Sequence, residues 1–173
     1  MVGPPEYVRI HADKPGVTLS SRDLEKQVVE IWREHGRRLQ RAFMKSHKHG
    51  LSKNEDAKNF LRREIYALGL RLKARPPSWN LCEVLVGLRK HQTTRRDVIG
   101  LNIFHDLLMV VYDEDDQISR QERWIMAKEM EYAHRHSVPP EFLCGFLYQS
   151  GGRKNLLEKL KDDYIEPVFR GDA

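Results

Sequence analysis

The chain has 173 residues, 40% of them hydrophobic and 32% charged, which is typical of one globular domain. Thirty lysines and arginines against 25 acidic residues give a net charge of +5, which favours acidic protein surfaces, RNA or anionic lipid as partners. No apolar run reaches the roughly 20 residues needed to cross a bilayer, and the N-terminus lacks an apolar signal-peptide core. We therefore expect a soluble intracellular protein, of the cytoplasm or of an organelle matrix.

The first 19 residues carry the turn-forming residues Pro4, Pro5, Pro15 and Gly16. Proline and glycine at this density interrupt regular structure, so we expect an extended arm that lies along a surface. The predicted organisation is an N-terminal arm at 1–19, a single helical domain at 20–166 and a short tail at 167–173.

Two long helices are predicted to follow the arm. The first starts after Ser20 or Ser21, either of which can accept a hydrogen bond from a first-turn amide, and ends near Lys45. The second starts from a capping box formed by Ser52 and Glu55. The predicted core face of the first helix comprises Leu24, Val28, Ile31, Trp32, Leu39 and Phe43, and that of the second comprises Ala57, Phe60, Leu61, Ile65, Leu68 and Leu72.

Proline and glycine divide the rest of the chain into shorter helices. A third helix is predicted around 79–88, a fourth from Thr93 or Thr94 to Val111, and a fifth from Arg120 to about His134. A sixth follows Pro140 and ends at Gly151 and Gly152, and a last helix closes before Pro167. The predicted inward residues of the fifth and sixth helices are Trp124, Ile125, Met130, Phe142, Leu143, Phe146 and Leu147.

No alternation with the period of a strand extends beyond about four residues. The predicted fold class is therefore all-α, a compact bundle of about six to seven helices with an extended N-terminal arm. Cys82 and Cys144 lie in apolar helix-like segments without the spacing of metal ligands, so we expect both to be reduced core residues.

The acidic turn between the fourth and fifth helices is the most informative segment. An EF-hand loop supplies oxygen ligands at positions 1, 3, 5, 7, 9 and 12. If Ile118 takes the apolar eighth position, Val111 offers no ligand at position 1, and Asp116 stands where glycine normally makes the sharp turn. The remaining candidate calcium ligands are Asp113, Asp115, the Gln117 carbonyl, Ser119 and Glu122.

The segment from Phe104 to Met130 thus resembles a degenerate EF-hand. The run from Leu39 to Glu55 looks like its partner hand, but His47 and His49 stand there at places where acids would be needed. The stretch Asp116-Gln-Ile-Ser-Arg-Gln-Glu122 is also similar to the acidic turn of TerB-like helical domains. The EF-hand resemblance implies a calcium-responsive adaptor, and neither family carries an enzymatic residue across.

The same turn has an explanation that requires no metal. Ser119 and Glu122 are spaced as a capping box that starts a helix. Carboxylates just before a helix N-terminus are also stabilised by its dipole, by a few tenths of a kcal/mol each. Local capping alone therefore accounts for the acidic residues.

A basic surface is the second candidate site. The arginines proposed to form it are Arg37, Arg38, Arg41, Arg62, Arg63, Arg95 and Arg96. RNA binding by such a surface would act through phosphates, and base recognition would add exposed aromatic side chains. The aromatic residues Trp32, Phe43, Phe60, Trp79 and Phe104 are predicted to lie on core faces, so a solvated charged face or an acidic protein partner is favoured over RNA.

Catalytic patterns are weak. The chain has no Gly-x-Ser-x-Gly turn and no P-loop spacing, and the adjacent pair His105 and Asp106 lacks the further ligands of the HD-type phosphohydrolases that it resembles. We therefore expect a non-catalytic protein–protein interaction or structural subunit of a larger assembly, without a cofactor. The alternatives are RNA or ribonucleoprotein binding through the arginines, and a calcium-responsive EF-hand-like adaptor.

Overall fold

Regular structure in the computed structural model is entirely helical over the residues that it describes, which are 20–49, 55–74, 85, 102–112 and 118–169. This confirms the predicted all-α class. Short 3-10 segments lie at Pro140–Phe142 and Pro167–Phe169. The α-helices are α1 at Ser21–His49, α2 at Glu55–Lys73, α3 at Ile103–Val111, α4 at Arg120–Arg135, α5 at Leu143–Gln149 and α6 at Gly152–Lys161.

Several sequence predictions lie outside the described residues. They concern the arm at 1–19, the capping residue Ser52, and the predicted third helix apart from Leu85, which is helical and buried. No helix within the described ranges is long and apolar enough to cross a membrane.

Helix α2 occupies the centre of the bundle and contacts α1, α3, α4 and α5. Its predicted inner positions are buried, because apolar residues three and four apart share one face of a helix. Phe60 is the exception. It is half-buried, and the Arg38 guanidinium lies 4.3 Å from the centre of its ring.

Three helix boundaries differ from the predictions. Helix α1 continues to His49, beyond the predicted end near Lys45. Helix α3 begins at Ile103 and not at Thr93 or Thr94, because Asn102 is extended and its side chain accepts hydrogen bonds from two amides of the first turn. The last helix ends at Lys161, so Ile165 follows it.

The start of α1 confirms Ser20 as its cap. The Ser20 hydroxyl accepts a hydrogen bond from the Asp23 amide at 3.1 Å, and the Asp23 carboxylate accepts one from the Ser20 amide at 3.2 Å. This reciprocal pair satisfies two amides that a helix start leaves unpaired.

Four predicted core residues lie at the surface, so those predictions are wrong. Trp32 and Phe43 of α1 are 50% and 60% exposed, and Trp124 and Phe142 are 48% and 52% exposed. These residues do lie next to the core positions on their helices, as their spacing predicted. The neighbouring helices cover only part of the apolar face, however, so these side chains stay exposed.

The contact between α2 and α3 depends on Gly69. A Cβ atom at Gly69 would lie 2.5 Å from Cε1 and 2.6 Å from Cδ1 of Phe104, whose ring is buried and also contacts the ring of Tyr66. Only a residue without a side chain lets the Phe104 ring sit against the α2 backbone.

A buried polar contact joins α1 to the end of α3. His35 is 2% exposed, and its Nδ1 atom and the Tyr112 hydroxyl form a short hydrogen bond. Burial lowers the pKa of His35 to about 4 and raises the pKa of Tyr112. The imidazole is therefore neutral at pH 7, and the Tyr112 hydroxyl donates to it.

Gly69→Ala is expected to lower the free energy of unfolding by about 1–2 kcal/mol. Overpacking against Phe104 costs about 1–3 kcal/mol and outweighs the gain of up to about 1 kcal/mol in helix propensity. Gly36→Ala is the matched control, since nothing lies within 4 Å of its Cβ position, and it should stabilise the protein by about 0.5–1 kcal/mol. Urea unfolding measures both changes, and a stabilising Gly69→Ala would contradict the packing described.

Stability is expected to fall as the pH drops from about 6.5 to about 4. In this window the unfolded chain protonates His35, whose ordinary pKa is 6.5, while the folded protein does not. The His35 contribution should reach at most about 1.4 kcal/mol per pH unit. Urea unfolding at pH 7, 6 and 5 measures the slope.

The control for this slope is His35→Gln, whose amide can accept the Tyr112 hydroxyl but does not titrate. It should show a smaller slope than the wild type. The variant should keep part of the slope, because His134 also contributes to it. Burial is the larger cause that lowers the pKa of His134, and the charge of Lys73 lowers it further. Equal slopes for variant and wild type would exclude His35 as the source.

Candidate functional site

An exposed apolar seam runs along α1 beside its buried face. We call Val29, Trp32, Gly36, Leu39 and Phe43 the α1 seam; they are spaced alternately three and four residues apart, as in a coiled coil. Val29 is 41% exposed, Trp32 and Phe43 are exposed by half or more, and Leu39 is half-buried. A second apolar face of this kind, left in water, is typical of a surface that binds another protein.

The buried face of α1 is distinct from the seam. Leu24, Val28, Ile31 and His35 also follow helical spacing, and they pack against α2 and α3. The α1 seam lies about one quarter of a turn away on the same helix, because each residue advances the helix by about 100°. One helix thus presents one apolar face to the bundle and another to solvent.

Basic side chains border the α1 seam on its solvent side. Arg33 is exposed and directly follows Trp32 of the seam. Lys26 is also exposed and lies seven residues, or two helical turns, before Arg33. In a coiled coil these positions flank the apolar contact and meet charged residues of the facing helix. Arg22 and Arg37 are also exposed, but Asp23, Glu25 and Glu30 are exposed along the same stretch of α1, so the charges beside the seam are mixed.

Three of the predicted surface arginines converge on one carboxylate. Arg37, Arg38 and Arg41 each donate a hydrogen bond to Glu34, at 3.1, 3.0 and 3.1 Å. Arg38 also contacts Asp56 of α2 at 3.0 Å. These guanidinium groups are therefore partly neutralised within the protein, which weakens their pull on phosphate groups.

The other predicted surface arginines are not all at the surface. The prediction is wrong for Arg62, which is 6% exposed and belongs to the interior. Arg63 is half-buried on α2. Arg95 and Arg96 lie outside the described residues, so the structure brings together only the arginines of α1.

A buried ion-pair network connects α2, α4 and α6. The Arg62 Nε atom donates to Glu129 at 2.9 Å, and the Arg153 Nε atom donates to the other oxygen of Glu129 at 3.0 Å. Both terminal nitrogens of Arg153 donate to Glu122, at 2.8 and 2.5 Å. Lys58 lies 3.8 Å from Glu122. Sequence analysis missed this network, because its members are far apart along the chain.

Only part of the predicted calcium loop can be compared with the structure, since Asp113, Asp115 and Gln117 lie outside the described residues. Ser119 caps α4 by accepting a hydrogen bond from the Glu122 amide at 3.2 Å. The Glu122 carboxylate does not complete the capping box. It is held by Arg153, whose hydrogen bond lowers the pKa of Glu122 despite its partial burial. Calcium binding by Glu122 would require Arg153 to release it.

His105 and Asp106 line a cleft of about 710 Å³ between α3 and α4, together with the exposed Trp124. Asp106 is buried, whereas His105 is half-buried. Among the described residues, no group of three or more His, Cys, Asp or Glu side chains could hold a metal ion. The cleft therefore offers a partly apolar surface, with one imidazole and one carboxylate at its edge.

The ring of His136 has a structural role at the end of α4. A carbonyl group can only accept, so the Nδ1 atom donates to the Tyr132 carbonyl at 2.8 Å. The Nε2 atom accepts a hydrogen bond from the Glu166 amide at 2.9 Å. With both nitrogens engaged, the ring ties the segment after α6 to α4 and leaves no lone pair for a metal.

Glu122→Gln is expected to lower the free energy of unfolding by about 1–3 kcal/mol in calcium-free buffer, because the charge-assisted pair with Arg153 is lost. Chemical unfolding with a chelator present measures this. If Glu122 acted only as a calcium ligand, the variant would match the wild type without calcium, and millimolar calcium would stabilise the wild type alone.

Comparison with family models, with curated proteins and with solved structures found no match for the chain. The EF-hand-like and TerB-like resemblances of the acidic turn stay predictions.

Proposed function

We propose that this protein is a non-catalytic subunit that binds another protein through the α1 seam. The observation that carries the proposal is the exposure of Trp32 and Phe43 on a helix whose other apolar face is already in the core. Monomeric proteins rarely leave a row of large apolar side chains in water over several turns. A row that contains tryptophan and phenylalanine has the composition of an interface centre.

Covering the seam contributes apolar burial to binding. Full burial of a large apolar side chain contributes about 1.5–3 kcal/mol, so burying the exposed parts of Trp32 and Phe43 contributes about 0.8–1.8 kcal/mol each. Val29 adds a smaller amount. Interface energies are commonly concentrated in a few such residues, with neighbours that mainly exclude water.

RNA binding is the second candidate. The sequence pattern placed the aromatic residues in the core, whereas two of them are exposed, and this favours RNA binding. Trp32 and Phe43 could stack on bases, and Arg33 lies one residue from Trp32. Against this, Glu34 occupies Arg37, Arg38 and Arg41. The seam also contains aliphatic residues at coiled-coil spacing, which suits a protein helix better than a row of bases.

A calcium-responsive adaptor has less support. Its last ligand, Glu122, already accepts two hydrogen bonds from Arg153 in a network that helps to join three helices. A calcium ion would have to compensate for the loss of that network.

The test compares proteins that co-purify with the wild type and with Trp32→Glu, both tagged and expressed in cells of the source organism. Loss of a defined set of proteins in the variant is expected, because a charge placed in the seam must be buried on binding. Quantitative mass spectrometry measures the set, and thermal unfolding checks that the variant is folded.

Trp124→Glu is the matched control, since Trp124 is 48% exposed and lies on α4 rather than on α1. The Trp124→Glu variant should still co-purify with the same proteins as the wild type. If only Trp124→Glu lost these proteins, the interface would lie at the cleft between α3 and α4. If Trp32→Glu still bound them, the proposal would be overturned. Release of RNA and of the bound set by nuclease would instead support the RNA-binding alternative.

A further inference from the structure

We infer that the segment 162–169, which we call the strap, is a pH-sensitive switch that opens when the buried ring of His136 takes up a proton. The strap follows α6 and packs against the end of α4, where His136 is 4% exposed. This switch is independent of the α1 seam and of any partner that covers it.

Three hydrogen bonds hold the middle of the strap, and one of them requires a neutral imidazole. The Glu166 amide donates to the Nε2 atom of His136 at 2.9 Å. The Glu166 carboxylate accepts from the Tyr132 hydroxyl at 2.7 Å and from the Lys159 Nζ atom at 2.6 Å. Only the first of these bonds uses the lone pair of a histidine.

A proton on His136 removes that bond. The Nδ1 atom already donates to the Tyr132 carbonyl at 2.8 Å, so an added proton must go to Nε2. Nε2 would then be a donor that faces a second donor, the Glu166 amide, and the two would repel each other. The backbone of the strap at Glu166 therefore has to move away from the ring.

Aromatic rings surround His136, so the charged ring cannot turn toward water without disturbing the strap. The ring centre of Tyr132 lies 4.5 Å from that of His136, and those of Phe146 and Phe169 lie at 5.2 Å each. Phe169 belongs to the strap and is 45% exposed. Burying a charge among these rings is unfavourable, and displacing Phe169 is the way to hydrate it.

The charges around His136 only partly offset a new positive charge. The Glu166 carboxylate attracts an imidazolium, but its Oε1 atom is already bound by Tyr132 and Lys159. Arg135 and Lys159 are positive and oppose a further positive charge. The titratable and charged groups that face the ring and the strap are Tyr132 and Arg135 of α4, Lys159 of α6, and Asp162, Asp163, Tyr164 and Glu166 of the strap, while α5 contributes the uncharged ring of Phe146.

The strap is loosely packed where it leaves α6. A cavity of about 800 Å³ lies there, and Arg135, His136 and Phe169 are among the residues that line it. The Nη1 atom of Arg135 is buried and has no hydrogen-bond partner among the described residues. Opening of the strap would let water reach this donor, which lowers the free energy needed for opening.

Glu166 stays charged in the pH range in which imidazoles titrate. Burial alone would raise its pKa, but hydrogen bonds from Lys159 and Tyr132 lower the pKa of Glu166 below its ordinary value of 4.5. Imidazole is the side chain that ordinarily changes charge between about pH 5 and pH 8. In mild acid the strap therefore responds to the histidine and not to the carboxylate.

The experiment measures amide hydrogen exchange in the full chain by NMR from about pH 8 to about pH 5. Protection factors are used, because the intrinsic pH dependence of exchange cancels in them. The Phe169 amide donates to the Glu166 carbonyl at 2.9 Å, so its protection reports the strap and not only the bond to His136. Protection of the Glu166 and Phe169 amides should fall by up to about tenfold per pH unit below the midpoint of the His136 titration, measured from its ring proton signals.

Two substitutions separate the proton from the hydrogen bond. His136→Gln places an amide oxygen where Nε2 lies, so it can accept from Glu166 but does not titrate, and its strap should stay protected throughout. His136→Asn places an amide nitrogen where Nδ1 lies and keeps only the bond to the Tyr132 carbonyl, so its strap should be poorly protected at every pH. The same pH dependence in His136→Gln as in the wild type, or wild-type protection in His136→Asn at pH 7, would overturn the inference.

Amides of α2 distinguish opening of the strap from unfolding of the bundle. Leu61 and Ile65 are fully buried on this helix, and their amides should stay protected at a pH where the strap has lost protection. A parallel loss in α2 would assign the effect to global unfolding and would overturn the inference. Constant protection of the strap throughout the His136 titration would show that Glu166 accommodates the imidazolium, and would overturn it as well.

Discussion

Glu129 brings a carboxylate into the interior of the bundle, where hydrogen bonds from Arg62 and Arg153 offset its lost hydration. Transfer of such ions from water costs several kcal/mol each, so the pairing must be geometrically complete. The guanidinium groups approach the two carboxylate oxygens from α2 and α6. The position of α4 between those helices is therefore fixed by charge as well as by apolar contact.

Helix α6 is joined to α4 through this network. Leu156 is its one buried residue, and Arg153 near its start supplies the contacts to Glu122 and Glu129. At the other side of the bundle, α2 holds α1 through apolar packing and through the pair of Arg38 and Asp56. The exposed seam of α1 thus lies on a helix whose buried face is anchored.

Local sequence signals predicted most of the helices because each signal acts within a few residues. Ser20 and Ser119 cap helices where expected, and the inner face of α2 follows the apolar spacing. The start of α3 was misplaced, since Asn102 competes as a cap within a run of residues that favours a helix. The misplaced start of α3 is also a local error, and it would have been avoided if Asn102 had been identified as a capping residue.

Long-range contacts could not be predicted from the sequence. Arg62 was expected at the surface because its partner Glu129 is 67 residues away along the chain. Trp32 and Phe43 were expected in the core because their spacing does not reveal how much of a helix its neighbours cover. The alternating spacing of the α1 seam was visible in the sequence, and a second apolar arc on one helix is the signal that would have identified it.

The exposed seam also has a cost for the protein in solution. Side chains such as Trp32 and Phe43 can associate with other apolar surfaces, and a larger fraction of the protein associates as its concentration rises. The exposed charges of Glu30 and Arg33 beside Trp32 oppose such association, because they would lose hydration on contact. Under the proposed function, a bound partner would cover the seam and keep the protein in solution.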